Sequence, residues 1–232
     1  MRLRVARCEL RDEIMFGAKM YKDRIDAARQ LLPKLEKYKG KKDTLILAIP
    51  RGALEMGAVL RDELKIPLDI VVTKKIGAPG NEEYAIGSVA PNGNVEINQE
   101  IIASYGIPPS YIQDEAQRLQ HVIKRRYEDY RGGDPNPPDL KGKVVIVVDD
   151  GIATGFTTLA AIKYIRTQKP KKIILATPVA ATDSYDKLEE EVDEMICPEV
   201  RSDFYAVGQF YEVFNQVSDE EAKKLLDFKE TP

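Results

Sequence analysis

The 232-residue chain has no tryptophan, one histidine and two cysteines. Cys8 and Cys197 lie far apart, which gives neither a metal-ligand spacing nor a disulfide framework. No apolar run approaches the ~20 residues of a membrane helix. The opening MRLRVARCELRDE lacks the apolar core of a secretory signal. Charge of one sign is not in excess either. The 35 Lys and Arg oppose 38 Asp and Glu, so no whole-protein basic field draws the chain to nucleic acid. A G-x-G-x-x-G dinucleotide fingerprint is missing. Gly52 and Gly57 have the spacing of a nucleoside-triphosphate loop, but Ala58 and Val59 stand where Lys and Ser or Thr are needed. What remains is an ordinary globular composition, 43% hydrophobic and 31% charged. The expectation is one cytoplasmic domain over residues 1–232, with no membrane partner. Self-association into a homo-oligomer stays open.

The most informative stretch is VVIVVDDGIATGFTT, residues 144–158. Its five β-branched residues read as a strand buried on both faces, as in a parallel sheet. Asp149 and Asp150 follow at the strand's C-terminal end. A loop of small and hydroxylated residues then runs into a helical pattern. Such a turn exposes backbone N–H groups, and the helix dipole favours an anion there. Thr154, Thr157 and Thr158 add hydroxyl donors. An acidic pair for sugar hydroxyls or a metal thus stands beside a phosphate cradle.

Around this stretch the pattern alternates. Ile25, Ala28, Leu32 and Leu35 recur at helical spacing, and Gly40 closes that helix. Residues 45–49 form a strand, followed by Pro50-Arg51-Gly52-Ala53 and a helix to about Leu64. Residues 69–73 form the next strand. Residues 74–81, KKIGAPGN, read as a mobile cationic lid. Residues 86–89 and 95–97 read as a hairpin arm. Ile112, Ala116, Leu119, Ile123, Tyr127 and Tyr130 mark one long amphipathic helix, with His121 off its apolar stripe. GGDPNPP is a loop within the domain. Strands at 172–179 and 193–197 flank a helix near 184–191. The tail gathers Phe204, Tyr205, Phe210, Tyr211 and Phe214, most of them expected in the core. Ser218 and Glu221 make a capping box for a final helix. Strands alternating with helices imply an α/β fold with a mainly parallel, helix-flanked sheet of about five strands.

Residues 145–157 resemble the thirteen-residue signature of type I phosphoribosyltransferases, which bind 5-phosphoribosyl-1-pyrophosphate (PRPP). Gly151 departs from the larger aliphatic residue usual at that place. The variant DDGIATG resembles a subgroup whose acceptor is generally unassigned. The resemblance extends through residues 46–53, 72–87 and 197–226. It implies the parallel five-stranded core with a small hood, here from about residues 1–20 and 197–217.

By that resemblance the chain would transfer a 5-phosphoribosyl group from PRPP to a nitrogenous base in nucleotide salvage, releasing pyrophosphate. Asp149 and Asp150 would hold the ribose hydroxyls and position Mg²⁺, mostly through substrate and water. Ala153, Thr154, Gly155, Phe156, Thr157 and Thr158 would hold the 5′-phosphate, and Gly151 would also contact PRPP. Arg51, Gly52 and Ala53 form the pyrophosphate loop, where family members often have a cis peptide. Lys74 or Lys75 would reach the pyrophosphate from the lid. Ala153 stands where hypoxanthine-guanine enzymes carry an Asp and is closer to adenine-type members. Glu212 matches a metal-side acid of the hypoxanthine-guanine group, so the cues conflict. A purine is favoured over a pyrimidine as the nucleobase-like acceptor. The alternative is a non-catalytic PRPP-sensing regulator.

Overall fold

The computed structural model describes residues 21–226. The N-terminal share of the expected hood, and Cys8 with it, lie outside the described residues. Helix α1 (Arg24–Leu35) leads through a 3-10 turn at Glu36–Tyr38 into strand β1 (Thr44–Ala48), helix α2 (Ala53–Leu64) and strand β2 (Leu68–Ile70). An arm of β3 (Lys74–Ala78), β4 (Asn81–Val89) and β5 (Val95–Ile97) follows, then helices α3 (Gln99–Tyr105) and α4 (Pro109–Tyr130). The chain continues through β6 (Val144–Val148), α5 (Phe156–Thr167), β7 (Lys172–Ala176), β8 (Val179–Ala181) and α6 (Thr182–Glu189). It closes with β9 (Glu194–Ile196), β10 (Glu199–Arg201), a 3-10 turn at Val207–Phe210 and α7 (Asp219–Leu225).

The main sheet has five strands in the order β2-β1-β6-β7-β9, each neighbouring pair parallel. Alternation along the strands sorts the core into two layers. Ile46, Ile146, Val148 and Ile174 face helices α1, α2 and α4. Leu45, Leu47, Val145, Val147 and Leu175 face α5 and Leu188 of α6. Both faces are covered, which is why β1 and β6 are buried along their whole length. The expected stripe of α4 is buried residue for residue, from Ile112 to Tyr130, and His121 is exposed. The Ser218–Glu221 capping box is present. Among the described residues no helix is long and apolar enough to cross a membrane.

Several local expectations change. Residues 74–81 are not an irregular loop. Lys74–Ala78 pairs antiparallel with β4, and Pro79-Gly80 alone makes the turn. Ile76 is fully buried there, so the segment has an apolar anchor that a lid pattern overlooks. The strand expected at 69–73 stops at Ile70. Beyond it the Val72 N–H donates to the Tyr127 hydroxyl, and the Thr73 hydroxyl donates to the Thr157 carbonyl. The strand expected at 172–179 breaks before Pro178, which has no N–H for a ladder, and β8 pairs with β10 instead. On α1 the buried face runs through Arg24, Ala27, Ala28, Leu31 and Leu35, which leaves Ile25 exposed. The tail aromatics divide: Phe210 and Tyr211 are buried, whereas Tyr205 is 90% exposed.

Candidate active site

Strand order decides where a ligand can sit. From β1 the chain moves to β2 on one side, and β6 lies on the other side of β1. The loops leaving β1 and β6 therefore diverge, and a crevice opens between them at the C-terminal ends of the strands. A cleft of about 250 Å³ occupies this place. Its walls are residues 49–52, residues 149–155, Thr157, Thr158, Lys75 and Val207. The Pro50–Arg51 peptide is cis, as the resemblance led us to expect.

Asp149 and Asp150 form the floor. The Thr158 hydroxyl donates to Asp149 Oδ2 at 2.8 Å, and the Asp150 N–H donates to Asp149 Oδ1 at 3.0 Å. Burial, and then the neighbouring Asp150 charge, push the Asp149 carboxyl far above the ordinary carboxylate range. The Thr158 hydroxyl and the Lys75 charge pull the other way. Asp150 is raised by burial against the opposing pull of Arg24, whose Nε donates to Oδ2 at 2.7 Å. The Tyr211 hydroxyl donates to the Asp150 carbonyl at 2.6 Å, so the tail segment is tied to the floor.

On the other wall the β6–α5 loop turns at Gly155, whose φ of 73° is the left-handed region that glycine favours. Helix α5 then presents the free N–H groups of its first turn to the cleft. Ser184 supports the loop by donating to the Ala153 carbonyl. The Thr158 hydroxyl is engaged by Asp149, so towards an anion this residue offers its backbone N–H. Gly52 stands opposite, in ordinary helical backbone. A Cβ there would lie 2.0 Å from Asp150 Oδ2, so the two loops touch through the missing side chain.

The cleft gathers most of the expected residues: Arg51, Gly52, Lys75, Asp149, Asp150, Gly151, Ala153, Thr154, Gly155, Thr157 and Thr158. It leaves out Ala53 and Phe156, which begin α2 and α5, and Lys74. Strand alternation in β3 sends the two lysines to opposite sides. Lys75 meets the cleft, while burial, Arg126 and Arg51 lower the Lys74 amine. Three participants are not legible in the motif: Arg24, Val207 and Tyr211. Arg24 had a signal, since it is a charged residue on the apolar stripe of α1. Val207 explains the departure at Gly151. A Cβ at Gly151 would meet Val207 Cγ1 at 2.4 Å, so a larger residue would force the tail away.

A parallel α/β sheet with a carboxylate pair, a helix N-terminus and a cationic loop at its switch point is of the class whose ligand crevice lies at the C-terminal ends of the strands. The chain belongs to the phosphoribosyl transferase domain family, whose profile matches residues 17–215. A Mycobacterium tuberculosis protein named "Putative phosphoribosyl transferase" is 34% identical over 210 residues, 90% of this chain and 47% of its own. The chain thus spans about half the length of the curated relatives it matches. The crystal structure of a Thermus thermophilus protein, TT1426, superposes with a TM-score of 0.72 at 32% identity, over 89% of this chain and 97% of that one.

Proposed function

We propose that the cleft binds PRPP and transfers its phosphoribosyl group to a nitrogenous base, releasing pyrophosphate. The observation that carries this reading is the convergence, across one crevice, of the Asp149–Asp150 pair, the α5 N-terminus and the Arg51–Gly52 loop. The α5 N-terminus and residues 153–158 would hold the 5′-phosphate. The two carboxylates would accept hydrogen bonds from the ribose hydroxyls. Arg51, the Gly52 backbone and Lys75 would hold the pyrophosphate. As the bond from sugar C1 to the pyrophosphate oxygen breaks, a bond from the base nitrogen to C1 forms. The sugar carries positive charge in between, and anionic groups already placed around it stabilise that charge without reorganising.

The donor set suits Mg²⁺. Among the described residues no cluster of three or more His, Cys, Asp or Glu could cage a metal ion. This ion needs no such cage, because it retains waters and takes oxygens from substrate phosphates. Asp149 and Asp150 would hold it, mostly through substrate and water. Bound there, it would neutralise charge on the departing pyrophosphate. Residues 197–217 serve as the hood in this reading, with Val207 resting on Gly151. Ala153 favours a purine acceptor, and nucleotide salvage in the cytoplasm is the setting this implies.

The test is pyrophosphate release from PRPP with a panel of purine and pyrimidine bases. Turnover should occur with a purine. Replacing Asp149 and Asp150 together by Asn should weaken Mg²⁺-dependent PRPP binding by ~1–3 kcal/mol, the scale of lost charge-assisted hydrogen bonds. Tight PRPP binding with no turnover on any base would favour the sensing regulator. Failure of the wild-type chain to bind PRPP would refute both.

A further inference from the structure

Arg24 lies outside the motif, on the first turn of α1, yet its side chain is only 7% exposed. A buried guanidinium needs partners, and here they come from three separate parts of the chain. Nε donates to Asp150 Oδ2 at 2.7 Å, on the cleft floor. Nη1 donates to Glu55 Oε2 at 3.1 Å, in the first turn of α2, and to the Asn215 carbonyl at 2.7 Å, in the tail. The guanidinium carbon stands 4.0 Å from the centre of the Phe214 ring. Directly above, a Cβ at Gly52 would fall 2.8 Å from both Nε and Nη2. We propose that Arg24 is the positioning residue of this site. It fixes one floor carboxylate and the Arg51–Gly52 loop relative to each other, and it locks both to the tail over the cleft. This deepens the reading of the cleft as a PRPP site and rests on it for the choice of ligand. The planar fork suits the task, because it meets Asp150 and Glu55 along different edges at once, which a lysine ammonium does less well.

The experiment follows the Arg24→Met and Arg24→Lys variants, with Glu55→Gln as a milder variant that keeps the Asp150 bond. PRPP affinity with Mg²⁺ is measured by calorimetry, under conditions where circular dichroism shows each variant folded. Arg24→Met should bind PRPP at least tenfold more weakly than wild type, Arg24→Lys less weakly, and Glu55→Gln between Arg24→Lys and wild type. A second cavity, lined by Asp23, Glu55, Val213 and Asn215, opens onto Arg24. Millimolar guanidinium should therefore enter an Arg24→Ala variant and restore part of its affinity, which a merely structural loss would not allow. Wild-type affinity in folded Arg24→Met would overturn the proposal. So would an Arg24→Ala deficit that guanidinium leaves untouched. If the wild-type chain binds no PRPP, the reading of the cleft fails instead. A crystal structure of Arg24→Met, or of Arg24→Lys should the former not fold, then decides the clamp alone. Movement of the Asp150 carboxylate and of residues 50–52 supports it, and their unchanged position overturns it.

Discussion

Gly52→Ala isolates the contact between the two loops. Gly52 has φ −57° and ψ −41°, a conformation that alanine also favours, so backbone strain plays no part. Only space forbids the methyl group. Its carbon would lie 2.0 Å from Asp150 Oδ2 and 2.8 Å from two nitrogens of Arg24, where ordinary contacts are about 3.5 Å. One side must retreat by more than about 1 Å, which breaks the Arg24–Asp150 bond. A hydrogen bond between charged groups is worth about 1.5–3 kcal/mol. Against this, alanine restricts the unfolded chain and stabilises by about 0.4–1 kcal/mol. The net loss of stability should be about 1–2 kcal/mol, read by urea unfolding. PRPP affinity should fall about ten- to a hundredfold, because each tenfold corresponds to 1.4 kcal/mol and both loops move. A variant as stable as wild type that binds PRPP as tightly would refute the steric argument.

Gly151→Ala should push Val207 off the loop and weaken PRPP binding, and adding Val207→Ala should recover most of the loss in a double-mutant cycle. Lys75→Met should lower pyrophosphate affinity by about 1.5–3 kcal/mol, the scale of one charged hydrogen bond, and Lys74→Met by clearly less in the same titration. Away from the cleft, Glu194 on β9 offers a pH test. Burial by itself would raise its carboxyl, but hydrogen bonds from Lys172, Lys37 and Tyr38 outweigh that and hold it at about 2. A depressed carboxyl stabilises the fold above its unfolded value, and the benefit is lost as pH falls through the folded one. Glu194→Gln should therefore be less stable than wild type at pH 7, and the gap in thermal midpoint should close between about pH 4.5 and 2. An equal gap at pH 7 and pH 2 would contradict the ion-pair account.

The sequence by itself carried the parallel sheet, because VVIVV and LILAI are buried on both faces and only a helix-covered sheet does that. It also carried the acidic pair, the small-residue turn and the stripe of α4, since each is a local pattern within one or two turns of chain. A stretch with mixed local signals was read less well. In residues 74–81 glycine, proline and lysine spelled a loop, but the burial of Ile76 and pairing with β4 made most of it a strand. Long-range choices could not be read at all. Which lysine enters the cleft depends on the register of β3, and a slip by one residue would exchange them. The role of Arg24 required α1, α2, the β6 loop and the tail to meet at one guanidinium. Local sequence sets propensity and the chemistry available at each position. Only the packed tertiary structure brings residues 24, 52, 150 and 214 within a few ångströms, and the desolvation there is what makes their charges matter.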